Sequence, residues 1–124
     1  NNLNYNNNLR VYRVAEAYLN AAELLLETGG DAGLAKEYVN KIRRRAGIAE
    51  LGAVTKDDVI NERRLEFVGE GKRYFDLVRT GKAATVLVPD SYGYRTNSWT
   101  ESKKYIPIAQ AELDSDPALV QNNY

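Results

Sequence analysis

Apolar residues recur at helical spacing on both sides of the glycine pair Gly29-Gly30, and this pattern constrains the fold more than any other feature. Upstream of the pair, the apolar residues share one broad face of a helix: Val11, Val14, Ala15, Tyr18, Leu19, Ala22, Leu25 and Leu26. The polar residues lie largely off that face: Arg13, Glu16, Asn20, Glu23 and Glu27. Glycines commonly follow the end of a helix, so the pair predicts where this helix stops.

A second amphipathic segment follows, with Asp31 as its predicted N-cap and Gly47 as its end. Its predicted inner face comprises Leu34, Ala35, Tyr38, Val39 and Ile42. The positive charges of Arg43, Arg44 and Arg45 in its last turn suit the helix macrodipole. Residues 9–47 therefore predict an antiparallel helix pair of the size of one tetratricopeptide (TPR) repeat. Such a pair needs neighbours to bury its apolar face.

A second helix pair is predicted over residues 55–81. Thr55 and Asp58 form a capping-box pattern that opens the third helix. Gly69 and Gly71 interrupt the pattern, and the fourth helix runs from about Lys72 to Thr80, with Gly81 closing it. The sequence thus predicts an all-α fold with about four main helices in antiparallel pairs.

The character of the chain changes after Pro89. Residues 89–104 predict a long polar loop that contains two tyrosines and the only tryptophan. Residues 105–124 predict an extended, loop-rich C-terminal segment in which Pro107 is the first residue of a short helix. The Asn-rich residues 1–8 predict a loop, and the whole of residues 1–124 is expected to form a single domain.

Composition excludes several classes of function. Seventeen basic residues balance seventeen acidic ones, so the charge does not imply nucleic acid or an anionic membrane as a partner. The chain contains no Cys and no His, which excludes a thiol nucleophile and a zinc enzyme within it. No catalytic residue, metal site or cofactor is predicted, and no apolar run reaches the ~20 residues that span a bilayer.

The most highly charged stretch, ERRLEFVGEGKRYFDLVRTGKA (62–83), admits three interpretations. A catalytic pair would join Glu66 to Glu70 or Asp76, but nothing in the sequence places two carboxylates across a cleft. A phosphate loop would use Gly69 and Gly71 with Lys72 and Arg73, but neither known glycine spacing is present. The favoured interpretation is a structural network that braces a helix corner, formed by Glu62, Arg63, Glu66, Arg73 and Asp76.

Three stretches together resemble the C-terminal part of the SusD/RagB family of outer-membrane nutrient-binding lipoproteins. The first comprises RVAEAYLNAAELLLETGG and AKEYVNKIRRRAGI, the second is the charged stretch above, and the third is KYIPIAQAELDSDPALVQNNY. Their order and spacing match the family from about Arg10 onward. Ala109 stands where the family usually has a second proline, and Asn123 replaces a common Pro or Gly.

The resemblance implies a non-catalytic glycan- or nutrient-binding protein at the cell surface. It implies an outer-membrane location, with a lipid anchor on an N-terminal region outside this chain. The expected partners are an oligosaccharide, a SusC-like TonB-dependent transporter and the remainder of a longer SusD-like chain. This chain would supply mainly helical scaffold.

The polar loop is the one part of the sequence with carbohydrate-binding chemistry. Aromatic faces and polar donors of the kind that contact sugars are combined in Tyr92, Tyr94, Arg95, Asn97 and Trp99. The same aromatic residues could instead only pack the loop onto the protein. The resemblance favours packing, because the family's recognised binding loops lie mostly upstream.

An alternative function is a TPR-like protein–protein interaction module without glycan binding. Tyr18, Tyr38 or the arginines Arg43 to Arg45 would then face the partner.

Overall fold

The computed structural model describes residues 11–123, and helices are the only regular secondary structure in that part of the chain. The α-helices are α1 (Val14–Glu27), α2 (Ala32–Ala46), α3 (Lys56–Glu66), α4 (Arg73–Arg79), α5 (Ala83–Val86) and α6 (Gln110–Ser115). A 3-10 helix spans Glu101–Lys104. The all-α prediction is confirmed, and four of these helices have seven residues or more. The Asn-rich residues 1–8 lie outside the described residues.

The chain divides into two compact units, the first ending at Arg73 and the second beginning at Tyr74. In the first unit, a short turn joins α1 to α2, which pack against each other, and α3 packs on α1. The core is formed by apolar residues from all three helices and from the corner that follows them: Ala15, Leu19, Ala22, Ala35, Val39, Ile42, Val59 and Phe67.

The helix ends follow the predicted capping chemistry. The Asp31 carboxylate accepts a hydrogen bond from the Leu34 N–H at 3.0 Å, and Gly47 ends α2 in the left-handed conformation. Thr55 and Asp58 form a capping box at the start of α3. These three predictions are confirmed.

The predicted inner face of α1 needs a correction at its N-terminal end. Val11 and Val14 are exposed, whereas Glu16 is buried. Val14 lies about 140° around the helix from the fully buried Leu19, so it points away from the core. Glu16 is buried because two cations of the same unit, Arg63 and Lys72, approach its carboxylate.

A buried amide fixes the loop between α2 and α3. Asn40 donates to the Leu51 carbonyl at 3.0 Å and accepts from the Leu51 N–H at 2.9 Å. Its side chain therefore satisfies the backbone N–H and carbonyl of Leu51, which ties this loop to α2.

The second unit contains α4 to α6 and the 3-10 helix, with Asp76, Leu77 and Ala83 as its buried residues. Pro107 is not the first helical residue, because α6 begins at Gln110. The Ile108 carbonyl, which a helix starting at Pro107 would use, instead accepts from the Gln121 side-chain amide at 2.9 Å. The pairing of α3 with α4 and the single-domain organisation stay predictions.

Candidate functional site

A tight turn from Asp90 to Arg95 is built around one carboxylate. Asp90 Oδ1 accepts from the backbone N–H of Tyr92 at 2.8 Å and of Tyr94 at 3.2 Å. Its Oδ2 accepts from the N–H of Arg95 at 2.7 Å. The Asp90 N–H donates to the Arg95 carbonyl at 3.1 Å, which closes the turn, and Gly93 adopts a φ of +78°. The turn is therefore held by its own hydrogen bonds.

The charge of Asp90 matches this role. Desolvation raises the pKa of Asp90, but the backbone N–H groups that it accepts outweigh that effect and hold its pKa below the ordinary value. The carboxylate therefore stays ionised at neutral pH, when it is the strongest acceptor for these N–H groups.

Two tyrosine rings stand on this turn. Tyr92 is 83% exposed and Tyr94 is 92% exposed. Their ring centroids lie 6.3 Å apart, and the ring planes are inclined by 34°. Rings with this spacing present two neighbouring aromatic surfaces to solvent.

The other three predicted ligand residues have different surroundings. Arg95 Nη1 lies 3.5 Å from the Val88 carbonyl, and Asn97 is exposed. The indole N–H of Trp99 donates to the Tyr74 hydroxyl at 3.3 Å, and its backbone N–H donates to the Leu87 carbonyl at 3.0 Å. Trp99 is half-buried, so it anchors the loop to its own unit while the two tyrosines remain open.

A hollow of about 240 Å³ lies further along the second unit, lined by Tyr74, Lys103, Tyr105, Ile106 and Pro107. Tyr74 shapes it, because its hydroxyl donates to the Lys103 carbonyl. Tyr74 and Tyr105 were not predicted as site residues. The sequence signal for this hollow was the run Tyr105, Ile106 and Pro107. Consecutive apolar residues in a loop are usually covered by another group.

Two of the predicted structural residues on α3, Glu62 and Glu66, contact arginines of α2 and of the segment before α1. Glu66 accepts from Arg45 at 2.5 and 2.7 Å and also from Arg13. Glu62 accepts from Arg43 at 2.8 Å. These ion pairs therefore join α3 to α2 and to the segment before α1.

Arg63 lies deeper than these pairs. Its Nη1 donates to Asn20 at 2.5 Å, its Nη2 lies 3.9 Å from Glu16, and its guanidinium lies 5.2 Å from the Phe67 ring centroid. The arginine is therefore satisfied by a carboxylate, an amide and an aromatic face.

The glycine corner carries its own ion pair. Arg13 Nη2 contacts Glu70 Oε1 at 2.6 Å. The hydrogen bond to Glu70 raises the pKa of Arg13 above its usual value, and the same bond lowers the pKa of Glu70. The sequence interpretation missed Arg13, Glu16, Arg43 and Arg45 as partners. The run of arginines in the last turn of α2 was the available signal for acidic partners. The sequence interpretation assigned that run to the helix macrodipole alone.

The last two predicted network residues lie at the start of α4. Asp76 is buried and accepts from Arg79 at 2.7 and 3.0 Å. Arg73 Nη1 is buried without a hydrogen-bond partner among the described residues. Membership of Arg73 and Asp76 in one network with the α3 residues stays a prediction.

Two further observations bear on the class of site. Within residues 11–123, no group of three or more Asp or Glu side chains could hold a metal ion. None of the helices in that part of the chain has the length and apolar character required to span a bilayer.

In its described residues, the protein is thus helical and carries two exposed aromatic rings on one ordered turn. The chain belongs to the SusD family, whose family description matches residues 1–124.

Solved structures and curated proteins agree with this assignment. Surface glycan-binding protein A from Bacteroides uniformis is 67% identical with a TM-score of 0.88, over 96% of this chain and 28% of that one. The protein of the same name from Bacteroides thetaiotaomicron, in complex with laminarihexaose, is 61% identical with a TM-score of 0.83, over 96% and 26%. The starch-binding protein SusD of Bacteroides thetaiotaomicron is 34% identical over 90% of this chain. The chain spans 20% of that protein's length.

Proposed function

We propose that this chain is part of a non-catalytic glycan-binding protein at the surface of the outer membrane. The observation that carries the proposal is the 61% identity to a surface glycan-binding protein whose structure contains laminarihexaose. Most of the chain acts as scaffold on this proposal, because α1 to α3 are joined by a common core and by ion pairs.

The surroundings of the acidic residues support a non-catalytic role. A glycosidase needs two carboxyl groups free to act as acid and base across a cleft. Glu66 is instead bound by two arginines, and the Asp76 carboxylate by Arg79. Both carboxylates serve as acceptors for neighbouring guanidinium groups.

The proposal extends to the assembly. The whole protein would be held at the outer membrane by a lipid on a region outside this chain. It would deliver bound oligosaccharide to a SusC-like TonB-dependent transporter. Family membership supports this extension.

The alternative of a protein-interaction module has less free surface to use. Tyr18 and Tyr38 pack with centroids 5.3 Å apart, and Lys41 Nζ lies 4.9 Å from one ring centroid and 5.9 Å from the other. The three arginines of α2 bond to acidic residues of the same unit: Glu37, Glu50, Glu62 and Glu66. These contacts favour the scaffold over an open peptide groove.

The test begins with the native polypeptide that contains ERRLEFVGEGKR, identified by mass spectrometry in fractionated source cells. We expect a membrane-associated lipoprotein several times larger than 13.9 kDa. Isothermal titration of the purified polypeptide with laminarihexaose and other oligosaccharides should show binding without cleavage. A cytoplasmic product near 13.9 kDa that captures a protein and binds no glycan would overturn the proposal in favour of the alternative.

A further inference from the structure

Tyr92 and Tyr94 are the most exposed aromatic rings that the structure describes, and the scaffold role does not explain them. We propose that these two rings form a stacking platform for two neighbouring pyranose rings of a glycan. This inference rests on the proposed glycan-binding function and gives it a specific site. We call the two rings with their turn the tyrosine platform.

Preorganisation is the first argument for the tyrosine platform. Three backbone N–H groups donate to Asp90, including those of Tyr92 and Tyr94 themselves. The backbone under both rings is thereby fixed before any ligand arrives. A turn that is already ordered loses little backbone conformational entropy on binding, which favours affinity from a small contact.

The spacing of the rings is the second argument. Their centroids are 6.3 Å apart, which is close to the distance between neighbouring sugar rings in an oligosaccharide. The 34° inclination suits a chain whose successive rings turn relative to one another. One sugar ring can therefore lie over each tyrosine, while the phenol hydroxyls remain available to sugar hydroxyls.

The experiment uses the full native polypeptide and measures the Kd for laminarihexaose by titration calorimetry. Tyr92→Ala and Tyr94→Ala should each weaken binding by about 10-fold, because each removes one stacking surface worth about 1.4 kcal/mol. Tyr92→Phe and Tyr94→Phe keep the rings and should stay within about 3-fold of the wild type. Tyr12→Ala is the control, because Tyr12 is a tyrosine 75% exposed in the first unit.

The outcomes separate this inference from the proposed function. If the wild type binds laminarihexaose and the two alanine variants match Tyr12→Ala, the tyrosine platform is refuted and glycan binding stands. If the wild type binds no glycan, the proposed function fails and the tyrosine platform with it. Nitration of both tyrosines in the unliganded polypeptide should be fast and should slow with laminarihexaose. Rings that are protected without glycan are covered by the remainder of the protein, which would also refute the tyrosine platform.

Discussion

At the scale of single residues, Asp90 shows how one ionised group can order a loop. Its pKa is held below the ordinary 3.8, so the folded turn favours the carboxylate over the carboxylic acid. A group with a lowered pKa stabilises the fold fully above its ordinary value. That stabilisation is lost as the pH falls through the lower folded value.

We therefore expect the order of the turn to be constant from pH 5 to pH 8 and to fall only below pH 3.8. Hydrogen-exchange protection of the backbone N–H groups from Tyr92 to Arg95 measures this order. Asp90→Asn should lower their protection at pH 7 and remove the acid-dependent loss. Asp114→Asn, in α6, is the control. Equal protection in Asp90→Asn and the wild type would show that the carboxylate does not hold the turn.

Gly47 gives a second prediction at the residue scale, which tests the effect of backbone conformation alone. Its φ is +70°, and a Cβ added there would meet no atom within 4 Å. Gly47→Ala should therefore destabilise the protein by about 1 kcal/mol, from the left-handed backbone alone. Gly52→Ala is a matched control, because its Cβ also meets nothing within 4 Å and its φ lies outside the strained range. Denaturant titration of both variants measures the difference, and equal stabilities would contradict the argument.

At the scale of elements, the sequence predicts best where local chemistry decides. Asp31, Gly47 and the Thr55 capping box mark helix ends because each acts on residues within one turn of itself. The start of α6 was mispredicted because Gln121, thirteen residues beyond Ile108, takes the carbonyl that an earlier helix would use. A contact of that kind leaves no local signal.

In the candidate site, too, local features could be predicted from the sequence and long-range contacts could not. The loop composition predicts Tyr92 and Tyr94 as candidates. It cannot show that Asp90 holds their backbone or that their ring centroids lie 6.3 Å apart. Composition also placed Trp99 among the candidate ligand residues. Its indole N–H donates to the Tyr74 hydroxyl, and this hydrogen bond anchors the loop. Glu16 was placed off the buried face because helical periodicity cannot register a charge that is compensated from another helix.

Glu66 tests how α3 is held to its neighbours. Its side chain is only 7% exposed and bonds Arg13 of the segment before α1 and Arg45 of α2. Glu66→Gln should cost about 2 kcal/mol of the free energy of unfolding, below the full cost of breaking a buried pair because Arg45 is largely exposed. Glu37→Gln is the matched control, because the Glu37–Arg44 pair is exposed on both sides and should contribute little to the free energy of unfolding.

Urea titrations at low and high salt measure both variants. The loss in Glu66→Gln should persist at high salt, because a carboxylate buried between two arginines is screened less than an exposed one. A loss equal to that of Glu37→Gln would show that the buried pairs do not hold α3 in place.

At the scale of the whole molecule, α1 has two apolar faces. The inner face packs in the core of the first unit, and the outer face carries Val14, Ala17, Ala21 and Leu24 at helical spacing. Val14 is 66% exposed and Leu24 is 64% exposed. A helix that is apolar on opposite faces is normally covered on both. The chain spans 24% of the length of a curated SusD-like relative from Formosa agariphila, and a longer chain would offer residues to cover the outer face.

We therefore expect the 124-residue chain, prepared alone, to expose a surface that is covered in the full native polypeptide. The chain should bind a hydrophobic dye more strongly than the full polypeptide does, molecule for molecule. Leu24→Ser should reduce dye binding by the chain, yet lower the melting temperature of the full polypeptide, because there it removes a packed side chain. Val120→Ser is the control, because Val120 is 82% exposed in the second unit. If Leu24→Ser leaves the melting temperature of the full polypeptide unchanged, the outer face of α1 is open to solvent in the native protein as well.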